Sequence, residues 1–173
     1  MPSPLLEQIL AFPYFARIRR NHALEHATIN LLSKKVPGIK VAGRSDSRGF
    51  WVFGELTTEL LADTVAEALK RLHDGEGKLA IHRNCGTNFV VSGFLAAAAS
   101  LFAFSGTRSS SERLGRLPLA ALFSTLVLIF GRPLGLKLQN QITTEADPGA
   151  LMLLDVRLIQ KGSMTAHRVN TRS

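Results

Sequence analysis

What most constrains this chain is where its charges are missing. Lys, Arg, Asp and Glu are dense from Arg17 to Arg83, absent from Asn84 to Thr107, and reduced to Arg132 alone between Leu117 and Leu136. A helix needs ~20 consecutive, mostly apolar residues to cross a hydrocarbon core ~30 Å thick. The run Phe89–Ser105 (FVVSGFLAAAASLFAFS), set in a longer uncharged context, meets that need. The second run, Leu117–Gly131, is short alone. Arg116 and Arg132 reaching toward the interfaces, with Leu134–Leu136 beyond, extend it. A serine-rich connection, Thr107–Arg116, separates the two, so the sequence predicts a two-helix transmembrane hairpin. Arg108, Arg113 and Arg116 in that loop stand against Lys70, Arg71, Lys78, Arg83, Arg132 and Lys137 on the other side. The positive-inside rule then puts both termini in the cytoplasm.

The charged remainder predicts a small α+β domain. Pro13 suits a first helical turn, Tyr14–Lys35 holds no Gly or Pro, and Lys34-Lys35 followed by Pro37-Gly38 marks a helix end. Along that helix Ile18, His22, Glu25, Ile29 and Leu32 form one stripe beside a second of Leu24, Thr28 and Leu31, which turns the polar groups inward. Ile39–Ala42 and Phe50–Phe53 predict an antiparallel pair around a hairpin loop, Gly43–Gly49. From Thr58, the spacing Leu61, Val65, Ala68, Leu69 and Leu72 predicts an amphipathic helix, and Lys78–His82 reads as a third strand. Leu151–Ile159 and Met164–Val169 predict two more strands around Lys161-Gly162, pairing with each other or with the earlier sheet. The expected organisation is α+β, a soluble sheet-and-helix region (1–86) interrupted by the hairpin (87–136) and completed by a C-terminal β segment (137–173).

The formal net charge of +8 raises nucleic acid as a partner, but the basic residues are scattered, with no aromatic platform or DNA-reading motif. Basic groups beside apolar spans meet anionic headgroups, at about 1 kcal/mol each, so the expected partner is the lipid bilayer and no nucleic acid. The single cysteine, Cys85, excludes an internal disulfide and leaves a free thiol, a metal ligand or an intermolecular partner. The N-terminus lacks the basic region and small-residue cleavage pattern of a signal peptide.

Chemistry concentrates at His22-Ala-Leu-Glu25-His26. Histidines four apart share a helix face, with the glutamate beside them, so one rigid element presents two imidazoles and a carboxylate. This HxxEH pattern resembles the inverted-motif zinc peptidases. The resemblance covers these five positions and implies His22 and His26 as zinc ligands and Glu25 as the base that activates bound water. A distal acid of that family's kind is open among Glu55, Glu59 and Glu67. His82 and Cys85, in Ile81-His-Arg-Asn-Cys-Gly-Thr-Asn88, offer the imidazole and thiolate that zinc also prefers. A full His₃Cys set would be a closed structural site; three protein ligands and a water would leave room for catalysis. Against this stands the plain alternative that the histidines are hydrogen-bonded core groups and Glu25 pairs with Arg19, Arg20 or a histidine.

Other signals are weaker. Thr87 or Asn88 is the expected N-cap of the first membrane helix, and His73 sits at a helix end. His167 lies in a strand, and Phe50 and Trp51 belong in the sheet or at an interface. Taken together, HALEHATINLL, AGRSD followed by GFWVFGE, IHRNCGTN and the apolar hairpin resemble an uncharacterised family of small bacterial membrane proteins bearing a domain of unknown function. The resemblance runs from about Arg19 to about Arg168 and implies a bacterial inner membrane protein, with no activity attached. The expected function is that of a membrane-anchored zinc-binding protein, with a metallopeptidase using HxxEH as its catalytic form. The alternative is a non-catalytic membrane accessory or interaction protein with structural histidines. Expected partners are the bilayer, other membrane proteins and a peptide substrate.

Overall fold

The computed structural model describes residues 4–161 and 164–173. Gly162 and the side chain of Arg132, each given a role above, lie outside what is described. The fold is mixed α+β, with seven α-helices and one four-stranded antiparallel sheet among the described residues. Two compact units form, Met1–His82 with Asn140–Ser173, and Arg83–Gln139.

In the first unit, α1 (Pro4–Ala11) leads into α2 (Pro13–Lys35), which starts on Pro13 and ends on Lys34 and Lys35 with Val36 N–H bonded to Leu32 O. The hairpin of β1 (Ala42–Asp46) and β2 (Gly49–Phe53) is tighter than its composition suggested. The expected strand Ile39–Ala42 and its seven-residue loop are corrected: Gly43, Arg44, Ser45 and Asp46 pair with β2, and Ser47-Arg48 alone turns the chain. The turn works because Asp46 Oδ1 accepts from Arg48 N–H at 2.8 Å and Gly49 takes a φ of 139°. A Cβ at Gly49 would also strike the Val169 carbonyl oxygen. α3 (Thr58–His73) is capped by Thr57, whose hydroxyl accepts from Leu60 N–H at 3.2 Å, and closes on Lys70, Arg71 and His73.

The expected strand Lys78–His82 is a second correction. Gly77–Ala80 is a 3₁₀ turn in which Leu79 N–H bonds Glu76 O, and the chain is extended only from Ile81. The reason is that α2 claims its carbonyls. Asn30 Nδ2 donates to Leu79 O and Ile81 O at 2.9 and 3.0 Å, and His26 Nδ1 lies 2.7 Å from Ala80 O, so no strand edge remains to be paired.

β3 (Met152–Lys161) and β4 (Met164–Arg172) pair with each other, and β4 pairs with β2, giving the order β1-β2-β4-β3. One sheet face supplies Phe50, Val52 and Val169 to the core, where Ala23, Leu24, Ala27 and Leu31 of α2 and Leu61, Val65 and Ala68 of α3 meet them. Each fully buried Leu or Phe contributes about 1.5–3 kcal/mol. Asn21 fixes α2 on the sheet: its Nδ2 donates to Asp46 O at 2.9 Å and its Oδ1 accepts from the Thr171 hydroxyl at 2.6 Å. On the opposite face Trp51 stacks on Phe53, and Arg168 lies over Trp51 while gripping both Asp46 oxygens at 2.7 and 2.8 Å.

The second unit holds α4 (Gly86–Ala103), α5 (Ser110–Gly115), α6 (Leu117–Phe130) and α7 (Arg132–Leu138). Cys85, rather than Thr87 or Asn88, is the N-cap of α4: its sulfur accepts from Thr87 N–H at 3.4 Å. α4 and α6 run antiparallel, since Arg116 at the start of α6 donates to Ala103 O and Ser105 O at the end of α4. Midway, Ser100 and Ser124 lie 2.7 Å apart and share the Ala96 carbonyl.

Among the described residues one helix, α4, is long and apolar enough to cross a membrane, with 18 residues and 11% of that window buried. The expected hairpin of two such spans is not supported as two continuous helices. α6 has 14 residues, and with 133–143 it reaches a span's length only across a 49° bend. The bend falls at Gly131-Arg132-Pro133, where proline lacks the N–H that would continue the helical ladder.

Candidate metal centre

α2 is free of Gly and Pro through residues 13–35, apart from Pro13 itself, so His22, Glu25 and His26 lie within one uninterrupted helical stretch. The imidazoles of His22 and His26 stand 4.2 Å apart between ring centroids, and each offers a ring nitrogen within 4.8 Å of the other's. His26 is fully buried and His22 half-buried. The end of the 77–82 segment brings in the His82 ring, 5.7 Å from that of His26.

Hydrogen bonding fixes the donor role of Nδ1 in all three rings. His22 Nδ1 lies 2.9 Å from Thr143 O, and His26 Nδ1 lies 2.7 Å from Ala80 O. A carbonyl oxygen only accepts, so both Nδ1 atoms carry the proton. His82 Nδ1 lies 2.9 Å from Asn30 Oδ1, and the amide cannot be reversed because Asn30 Nδ2 is spent on the carbonyls of Leu79 and Ile81. His82 Nδ1 therefore donates as well. In each imidazole the bond at Nδ1 orients the ring, as the partners of zinc-binding histidines do. Burial pushes the His82 pKa down, which favours the neutral form that a metal needs.

Glu25 is buried, with its carboxylate seated against Gly43 of β1; a Cβ there would collide with it. The glycine is thus the counterpart of the glutamate. Cys85 is buried at the head of α4 in the second unit, three positions after His82 in sequence. Of the acids considered as a distal ligand, Glu67 is engaged by Lys35 at 2.7 Å and by Arg71 at 3.5 Å, and Glu59 belongs to the first turn of α3. His73 Nδ1 lies 2.9 Å from Leu69 O in its own helix, and His167 Nε2 lies 3.2 Å from the Thr58 hydroxyl; both serve the fold.

Two residues that organise the site escape a motif search. Asn30 sits two turns after His22 on α2 and positions His82 while binding two carbonyls beside it. Arg19 gathers residues 142–145: its Nε donates to Ile142 O at 2.8 Å, an Nη donates to Thr144 O, and it pairs with Glu145 at 3.1 Å. That places the Thr143 carbonyl against His22. The signal available in the sequence was the period, since Arg19, His22, His26 and Asn30 are spaced three, four and four along one helix.

Comparison with known proteins adds a family and no activity. The family described as a domain of unknown function (DUF6391) matches residues 17–156, a stretch that contains His22, Glu25, His26, His82 and Cys85. An uncharacterised protein of Picosynechococcus sp. is 38% identical over 89 residues, covering 46% of this chain and 43% of that protein. The chain thus spans less than half the length of that relative. No solved structure matches.

Proposed function

The chain belongs to the DUF6391 family, and from that premise we propose that it is a membrane-anchored zinc-binding protein whose metal sits on His22, His26 and His82. The observation that carries this reading is the common orientation: three neighbouring imidazoles are each held at Nδ1 by a carbonyl or amide oxygen, the kind of partner that orients zinc-binding histidines. Cys85, close to His82 in sequence, is the proposed thiolate ligand and completes the His₃Cys set. α4 is the proposed anchor, with the bent 117–143 segment as a second crossing and both termini in the cytoplasm.

In the catalytic form of this proposal three protein ligands would hold the zinc, which would supply an activated water, and Glu25 would be the base that takes that water's proton. Metal content of the purified full-length protein tests binding. About one zinc per chain is expected, lost in His22→Ala and His26→Ala, while Glu25→Gln keeps the metal and loses any peptidase activity. Zinc that survives both histidine substitutions, or a wild-type preparation without metal, contradicts the reading.

One observation favours the rival. The same Nδ1 contacts tie α2 to the segments 79–82 and 142–145, which is what structural histidines in a non-catalytic membrane accessory protein would do. Under that reading, His26→Gln lowers stability without any change in metal content.

A further inference from the structure

α1 carries two apolar stripes, and the fold uses only one. Leu6 and Leu10, four apart, are half-buried, and α1 contacts α2. Leu5, Ile9 and Phe12 recur at i, i+4 and i+7 and form the other stripe, 68%, 47% and 60% exposed. Tyr14 and Phe15 at the start of α2 continue it, also exposed. The rings join into one surface, with Phe12 and Phe15 6.3 Å apart and Tyr14 edge-on to Phe15 at 5.6 Å. Five large apolar side chains contiguous in water mark a contact surface rather than the scattered exposure that any protein shows.

Charge and residue type select the partner. Over residues 4–20 one acid, Glu7, faces Arg17, Arg19 and Arg20. Arg19 is consumed by Glu145 and two carbonyls, whereas Arg17 is exposed and bends back, its Nε donating at 3.3 Å to the carbonyl of Pro13, the residue between Phe12 and Tyr14. Long aliphatic chains, Phe and Tyr rings and an adjacent arginine are the set that suits the boundary between acyl chains and phosphates.

We propose that α1 and the first turn of α2 form an interfacial anchor that lies on an anionic lipid bilayer, with Leu5, Ile9, Phe12 and Phe15 entering the acyl boundary and Arg17 at the lipid phosphates. This is a membrane contact additional to α4, and it rests on membrane residence, not on zinc.

Trp51 is the chain's single tryptophan, so a Trp51→Phe background allows one reporter at a time in the full-length protein. Phe12→Trp and, separately, Phe94→Trp on α4 are reconstituted into phosphatidylcholine vesicles with a minority of phosphatidylglycerol, with and without brominated acyl chains. The expected result is a blue-shifted emission at both positions that brominated chains quench, with quenching at position 12 reduced when Arg17→Glu is added. Quenching at position 94 with water-like, unquenched emission at position 12 overturns the proposal while leaving the α4 span intact. Emission at position 12 that is shielded from aqueous iodide but untouched by brominated lipid also overturns it and points to a protein partner. Absence of quenching at both positions removes membrane residence itself, and this anchor with it.

Discussion

At the residue scale the account turns on asparagine and histidine chemistry. Asn30 does three things with one amide, binding Leu79 O and Ile81 O and accepting from His82. Asn30→Ala leaves two partly buried carbonyls short of a donor, at up to roughly 1–3 kcal/mol each before relaxation, and releases the His82 ring. The expected result is a lower urea midpoint together with a 10- to 100-fold loss of zinc affinity in a chelator competition, the usual cost of removing a ligand's orienting partner. A loss of stability with unchanged affinity would separate Asn30 from the metal site. His167 gives a pH prediction of known sign. It is fully buried, Nδ1 lacks a hydrogen-bond partner, and burial pushes its pKa below the ordinary 6.5, opposed by the charge of Glu59. The unfolded chain therefore binds the proton first as pH falls. The contribution to stability is complete above pH 6.5 and is lost progressively below it, through the lowered folded-state pKa. Urea unfolding at successive pH values should show this acid-side decline in the wild type and a shallower one in His167→Gln.

At the element scale the sequence was most legible where the helix signals agreed. Pro13, the uninterrupted run to Lys35 and the periodic segment from Thr58 through Leu72 appear as α2 and α3 with nearly the expected bounds. It was least legible where side chains from elsewhere claim the backbone. The residues Lys78–His82 look like a strand, yet Asn30 and His26 take their carbonyls and a 3₁₀ turn results. β1 was hidden because Gly43, Ser45 and Asp46 read as loop, whereas Gly43 is small to receive the Glu25 carboxylate from α2. The HxxEH face was visible from spacing alone; the carbonyls that orient its rings, at Thr143 and Ala80, were not. Two substitutions check these elements by thermal unfolding. Thr57→Ala should cost about 1 kcal/mol as a lost N-cap. Gly49→Ala should cost about 1–3 kcal/mol through strain alone, and more because the new Cβ meets Val169 O. A Gly49→Ala protein as stable as the wild type would refute the turn geometry.

At the scale of the whole molecule, a sheet-and-helix unit carries the histidines and a helical unit carries α4 with its exposed apolar side chains. Phe89, Val90, Phe94, Leu101 and Phe102 of α4 all face outward, which is costly in water and natural in lipid. The protein should therefore remain with membranes through high-salt and alkaline washes, and reporters fused at each terminus should both read the cytoplasm. Release by salt alone would reduce α4 to a surface that contacts another protein; reporters on opposite sides would leave α4 as the single crossing and the bent 117–143 segment outside the core of the bilayer. The central claim is the metal, and its most direct measurement is X-ray absorption at the zinc edge of the purified full-length protein. The predicted spectrum contains imidazole scattering, with nitrogens at about 2.0–2.1 Å and one sulfur at about 2.3 Å. A shell of oxygen ligands without imidazole, or no zinc to measure, would contradict it and leave His22, His26 and His82 as the hydrogen-bonded staples of an accessory protein.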